Sequence, residues 1–94
     1  MSALEAMVAA LQSALPPCQV SVEPHGSALY VEFEDGRQLT LSLDRRVRYA
    51  LAEDVALARE AAAAFSAALL VYPGERTLTL SYDDGDRLRV KNRY

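Results

Sequence analysis

The stretch that decides the fold is LYVEFEDGRQLTL, residues 29–41. Apolar and polar side chains alternate on both sides of an Asp-Gly pair, which is typical of two half-buried antiparallel strands. A two-residue loop would place Leu39 on the opposite face from Val31, because successive side chains point to opposite faces. A three-residue loop, 34–36, with Gly36 in the left-handed position instead pairs Val31 with Leu39. The stretch therefore predicts a bulged hairpin with one apolar face.

The same pattern recurs 49 positions later as LTLSYDDGDRLRV, residues 78–90. Residues 20–24 likewise align with 69–73, and both segments end in proline. Apolar positions, a proline and an Asp-Gly pair in one register indicate an internal duplication. By that alignment the second copy is predicted to contain a strand near 69–72, although Leu69 also ends an apolar stripe of helical spacing that starts at Leu51.

The duplication also predicts the remaining turns. The last hairpin would close through residues 83–85, with Leu80 opposite Leu88. Two-residue turns are expected at 25–26 and 74–75, between strands that pair Val22 with Leu29 and Val71 with Leu78.

Each copy opens with a helix. In the first, an apolar stripe of helical spacing ends before Pro16-Pro17, which cannot continue a helix. Its members are Leu4, Met7, Val8, Leu11 and Leu15. The second helix is predicted to begin near Ala50, with Glu53 and Asp54 complementing the dipole of its first turn. Residues 44–49 are interpreted as a connection or a strand extension, since three arginines would be badly placed in a first turn.

These elements predict a single α+β domain over residues 1–94, with repeat one at 2–43 and repeat two at 50–94. The expected architecture is αβββ-αβββ, two antiparallel meanders with two helices packed on one face. The sequence leaves open whether the meanders join into one six-stranded sheet.

Composition narrows the function. A net charge of −3 argues against a general nucleic-acid binder. The single cysteine, Cys18, and the absence of a basic-apolar leader or a long apolar run predict a cytoplasmic protein without membrane contact. No metal, nucleotide or catalytic signature is present, so neither a cofactor nor an enzyme activity is expected. His25 and Cys18 are interpreted as structural, and residues 83–86 as a hairpin loop rather than a calcium loop.

Two surfaces are candidates for binding. On the last strand four cations alternate, so they share the face opposite Leu88 and Val90, with Arg89 expected opposite Thr79. They are Arg87, Arg89, Lys91 and Arg93. The stripe would attract an acidic partner or phosphates, or alternatively protect an edge strand against aggregation.

The second candidate is the segment 61–72, which has no charged residue. Ala63, Ala64, Ala67 and Ala68 widen its apolar surface beyond one stripe, which indicates coverage on more than one side. Self-association into a homodimer is predicted through Ala61, Ala64, Phe65 and Ala68. The alternative is that alanine simply favours a helix.

The order helix, three strands, helix and further strands resembles the class I chaperones of bacterial type III secretion. That resemblance implies a small acidic cytosolic dimer that holds an extended segment of another protein. The order also resembles the double-stranded-RNA-binding domain, but Glu53 and Asp54 stand where that family grips phosphates. The leading hypothesis is a non-catalytic, chaperone-like or adaptor-like protein-interaction module that acts as a homodimer. The alternative is a phosphate or nucleic-acid binder that uses the last strand.

Overall fold

The computed structural model describes residues 2–74 and 76–92. Within these residues the chain forms three helices and five strands, and the predicted α+β class is confirmed. The elements are α1 (Ala3–Ala14), β1 (Cys18–Val22), β2 (Ala28–Phe33), β3 (Gln38–Leu43), α2 (Arg45–Leu51), α3 (Val55–Val71), β4 (Thr77–Tyr82) and β5 (Leu88–Lys91).

The described strands form one mixed sheet in the order β1-β2-β3-β4-β5. Neighbours are antiparallel except at the centre, where β3 and β4 are parallel. A parallel pair needs a crossover, and α2 with α3 supplies it. The two meanders therefore join into one sheet of five described strands, not six.

The core lies between one face of this sheet and the helices. Alternate residues of β2, β3 and β4 are buried there, while α1 and α3 pack against each other above them. Met7, Leu11 and Phe65 are fully buried in this layer. Each such side chain contributes roughly 1.5–3 kcal/mol by leaving water. The opposite face of the sheet carries polar side chains and stays open.

The internal duplication is not seen in the structure, because the aligned segments differ in secondary structure. Residues 20–22 lie in β1, whereas residues 69–71 form the last turn of α3. Pro16-Pro17 stops α1 directly before β1, whereas the aligned positions of the second copy are Phe65 and Ser66, so α3 continues to Val71 before Pro73. Leu69 is buried and extends the apolar stripe of the helix. The predicted strand at 69–72 is therefore wrong.

The second helical region begins earlier than predicted. Asp44 caps α2, and its Oδ1 atom accepts a hydrogen bond from the Arg46 backbone N–H at 2.9 Å. Arg45 and Arg46 are exposed, so water screens their charge in this seven-residue helix. Asp54 then caps α3 through the Leu57 N–H at 3.0 Å. The single helix predicted for this region is therefore two helices, α2 and α3.

The central hairpin has the predicted register and loop. Leu29 pairs with Leu41 and Val31 with Leu39. The Phe33 N–H donates to the Arg37 carbonyl at 2.9 Å, and Gly36 takes a φ of +89°. Residues 34–36 therefore form the bulged three-residue loop.

The first hairpin also has the predicted register, with Val22 opposite Leu29. Its loop is wider than the two residues expected, because the Glu23 N–H closes onto the Ala28 carbonyl at 2.9 Å. Pro24 has no N–H with which to close a tighter turn. The turn predicted at 74–75 falls between a helix and a strand, and Glu75 lies outside the described residues.

The last hairpin differs from the prediction by two positions. Leu80 pairs with Val90 rather than with Leu88. The Asp83 N–H donates to the Arg87 carbonyl at 2.9 Å, so the loop is 84–86, and Asp86 takes the left-handed φ of +56°. A shift by two leaves every side chain on its predicted face.

Candidate functional site

The basic edge is the name used here for Arg87, Arg89 and Lys91, on β5 and the turn before it. All three are exposed, while the intervening Leu88 and Val90 pack against the core. β5 is the last strand of the described sheet, so its outer side has no neighbouring strand among the described residues. The fourth predicted cation, Arg93, lies outside the described residues.

Two hydroxyls lie beside the basic edge. Arg89 lies opposite Ser81 and Lys91 opposite Thr79. The predicted pairing of Arg89 with Thr79 is therefore wrong by two residues. The Oγ of Ser81 and the Oγ1 of Thr79 are buried without a hydrogen-bond partner among the described residues. A buried hydroxyl left unpaired costs roughly 1–3 kcal/mol. Because both oxygens are buried, an anionic group beside this strand would meet the exposed cations rather than these hydroxyls.

Asp83 places one negative charge beside the basic edge. Its Oδ1 accepts hydrogen bonds from the backbone N–H groups of Arg87 at 3.0 Å and Gly85 at 2.9 Å. These bonds, led by the one from Arg87 and assisted by the charge of Arg89, lower the pKa of the Asp83 carboxyl. The site thus combines three cations with the carboxylates of its own turn, Asp83, Asp84 and Asp86, the last of which pairs with Arg46.

The residues predicted for self-association lie mostly inside the chain. Ala61, Phe65 and Ala68 are buried in the core, and Ala64 is partly buried against it. Three of the four are therefore not available to a second copy, because α3 turns them toward α1 and the sheet. Self-association itself stays a prediction. The other side of α3 exposes Ala63, Ala67, Leu70 and Val71.

His25 lies exposed in the turn after β1, as predicted, and its backbone N–H donates to Glu23 Oε2 at 3.0 Å. Cys18 is half-buried, and burial raises the pKa of its thiol, which disfavours the reactive thiolate. Residues 83–86 form a hairpin turn, as predicted. In the part of the chain that the structure describes, no group of three His, Cys, Asp or Glu side chains could hold a metal ion.

Residues 45–49 form part of a helix that the sequence did not predict. This helix is α2, where Tyr49 is 63% exposed and its ring centroid lies 5.8 Å from the Arg45 guanidinium carbon. The corresponding distance from Arg48 is 5.6 Å, and Arg48 and Tyr49 border a groove beside the start of α1. In the sequence, three arginines and a tyrosine within five residues are the signal for this exposed cluster of cations around an aromatic ring.

No protein-family profile matches this chain, and neither curated proteins nor solved structures provide a match. Within residues 2–74 and 76–92, no helix has both the length and the apolar character that a membrane crossing requires. The function is therefore argued from the geometry of the chain itself.

Proposed function

We propose that this chain is a non-catalytic protein-interaction module that binds an extended, acidic segment of a partner protein along β5. The observation that carries the proposal is an edge strand whose exposed side chains are cationic. Strand addition gives affinity through main-chain hydrogen bonds and specificity through alternate side chains. The order of α1 to β5, on which the resemblance to class I chaperones rests, supports the same kind of activity.

The backbone of β5 is suited to strand addition. The Asp83 N–H bonds to the Arg87 carbonyl, so the Arg89 and Lys91 backbones also face β4 in the alternating antiparallel pattern. The N–H and C=O groups of Leu88 and Val90 therefore point outward. An added strand would pair with them and set its own side chains beside the basic edge.

Charge selects the acidic partner. The ion pair described in this chain joins Arg46 to Asp86 at 3.1 Å, in the turn before β5, and does not involve the two cations of β5. Arg89 and Lys91 are thus available to carboxylates of a bound segment, apart from the nearby charge of Asp83. Such rim charges mainly raise the association rate and suppress wrong partners.

We further propose that the module is a homodimer formed through the exposed side of α3. Leu70 is 86% exposed and Val71 68% exposed, next to the small side chains of Ala63 and Ala67. Contiguous exposed apolar side chains mark interaction surfaces. The proposal places the protein in the cytoplasm, where a free thiol such as Cys18 stays reduced.

A phosphate or nucleic-acid binder is the second candidate, because the three exposed cations of the basic edge also suit phosphate oxygens. The net charge of −3 weighs against it, since nucleic-acid affinity comes largely from phosphate contacts.

The experiment measures fluorescence anisotropy with three labelled probes: a peptide that alternates Glu with Thr, its Lys-Thr counterpart and a single-stranded oligonucleotide. We expect the acidic peptide to bind and the double variant Arg89→Glu with Lys91→Glu to weaken it at least tenfold. The matched control, Arg45→Glu with Arg48→Glu, makes the same charge change on α2, outside the basic edge, and should leave the affinity within twofold.

Hydrogen exchange on the wild type locates the bound peptide without a variant. Protection of the Leu88 and Val90 amides on binding supports strand addition. Protection confined to other elements, or binding of the oligonucleotide in preference to the peptide with a steep loss in salt, would contradict the proposal.

A further inference from the structure

A groove of about 620 Å³ lies at the end of the molecule where α1 begins and α2 ends. Its apolar wall includes Leu4, Leu43 and Leu51, and Arg48 and Tyr49 border it. Small-molecule sites typically have volumes of about 300–1,000 Å³, with mostly apolar walls and a few polar groups that orient the ligand. The groove has the size and lining of such a site, and it is separate from the basic edge.

The wall of the groove is part of the folded core. Leu43 is 7% exposed and Leu51 1% exposed, and both belong to the hydrophobic core, whose packing holds them in place. Gly26 forms the opposite side, with a φ of +73° that suits glycine. A Cβ atom at this position would lie 3.5 Å from Leu4 Cδ1, so the turn passes close to α1. The space is therefore shaped by fixed elements on both sides.

The polar lining of the groove has a positive bias. Among the described residues that line it none is acidic, whereas Arg48 contributes a guanidinium. Within the described residues, the Arg48 guanidinium has a ring contact with Tyr49 but no ion pair. The start of α1 at Ser2 also contributes the positive end of a helix dipole.

Two nearby carboxylates, those of Glu23 and Glu5, accept hydrogen bonds from other groups. Glu23 Oε2 accepts hydrogen bonds from the backbone N–H groups of His25 at 3.0 Å and Ser27 at 3.2 Å. Glu5 Oε1 accepts one from the Ser2 hydroxyl at 3.2 Å. Neither carboxylate lines the groove. Neither Asp44 nor Glu53 lines the groove either, so the Arg48 guanidinium is the charged group that an acidic ligand would meet there.

We propose that the groove binds a small apolar carboxylic acid. Its aliphatic or aromatic body lies against Leu4, Leu43 and Leu51, and its carboxylate takes hydrogen bonds from the Arg48 guanidinium. Guanidinium matches a carboxylate with two parallel N–H donors, which gives both strength and orientation. Tyr49 covers the carboxylate end, since its ring already contacts Arg48.

The experiment titrates the full chain with octanoate by calorimetry and with 1-octanol as the uncharged analogue. We expect octanoate to bind at least tenfold more tightly than octanol, because a hydrogen bond to a charged group contributes about 1.5–3 kcal/mol. Amide shifts in NMR spectra on octanoate binding should be largest at Gly26, Leu51 and Ala52. This comparison needs no variant.

Variants then test the assigned residues. Arg48→Gln should reduce octanoate binding to the level of octanol, while Arg45→Gln, which also removes a cation next to Tyr49, should leave it within twofold. Ala52→Trp, which fills the groove, should abolish binding, and Ala9→Trp on the exposed side of α1 should not. No binding at millimolar octanoate, equal loss in both arginine variants, or shifts confined to another surface would overturn the proposal.

Discussion

Four acidic side chains stabilise turns or helix starts of this chain through the same kind of hydrogen bond to the backbone. Glu23, Asp35, Asp44 and Asp83 each accept a hydrogen bond from the backbone N–H two residues later, at 2.9–3.0 Å. Such side-chain bonds mimic a backbone turn and explain why acidic residues favour these positions. In the last hairpin this bond lets Asp86, and not Gly85, take the left-handed conformation. A glycine in the sequence was a reliable signal for the turn, but not for its register.

Gly36 is the position where glycine itself is required. We expect Gly36→Ala to lower the free energy of unfolding by roughly 1–2 kcal/mol, because its φ of +89° is strained for any residue with a Cβ. Gly74→Ala is the matched control, since that glycine does not have a positive φ and a Cβ there meets no atom within 4 Å. Urea unfolding measures both. Equal losses would show that φ is not the cause.

The Glu23 turn predicts a pH dependence. The Ser27 hydroxyl and the backbone N–H groups of His25 and Ser27 lower the pKa of the Glu23 carboxyl. A lowered pKa stabilises the fold above the unfolded-state value of about 4.3 and loses that contribution as pH falls through the folded value. We therefore expect Glu23→Gln to lower Tm at pH 7, with the difference from wild type shrinking below about pH 4.

Thermal unfolding at a series of pH values checks this, with Glu60→Gln on the exposed side of α3 as the control. A difference between wild type and Glu23→Gln that stays constant down to pH 2 would contradict the assignment.

Secondary-structure elements were predictable where side-chain alternation and a stop signal agreed. The three strands before residue 44 and α1 have both, so their identity and their inward faces followed from the sequence. Residues 69–71 lack the stop signal, and their apolar run fits either a helix or a strand. The parallel pairing of β3 with β4 was not predictable, because it is decided by packing of α2 and α3 rather than by local residues. The basic edge was predictable from alternation alone, whereas the groove needed the tertiary positions of α1 and α2.

A pair of substitutions distinguishes the helix from the predicted strand at residues 69–71. In a strand, Leu69 and Val71 would share one buried face; in α3, Leu69 is 9% exposed and Val71 68% exposed. We expect Leu69→Ala to destabilise the chain by about 2–3 kcal/mol. Val71→Ala should cost less than about 0.5 kcal/mol, as for other exposed sites.

Denaturant unfolding at low protein concentration provides the measurement. Similar losses for Leu69→Ala and Val71→Ala would favour the strand.

The whole molecule is a layer of helices on one face of a sheet, with the other face open. This leaves three separated surfaces: the basic edge, the groove at the start of α1 and the exposed side of α3. The apolar side chains of Leu70 and Val71 distinguish the last of these, because the exposed residues of the open sheet face are mostly polar. If a second copy contacts only the exposed side of α3, the basic edge and the groove of each chain stay accessible.

The proposed homodimer is tested by Leu70→Glu. We expect wild-type chain to sediment at twice the mass of one chain at high micromolar concentration, and Leu70→Glu to sediment as one chain, because burying an unpaired carboxylate is costly. Gln12→Glu, an exposed position on α1, is the control and should behave as wild type. A single-chain mass for the wild type would contradict the dimer.

The parallel pairing of β3 with β4 leaves an apolar strand edge exposed while the chain is being synthesised. β4 lies after the crossover of residues 44–76, so during synthesis from the N-terminus β3 stands for a time as an unpaired edge. That edge alternates Leu39, Leu41 and Leu43 with polar residues, and an open apolar edge readily pairs with other chains. Chains truncated before Thr77 should therefore aggregate, and nascent ones are exposed to the same hazard until β4 docks.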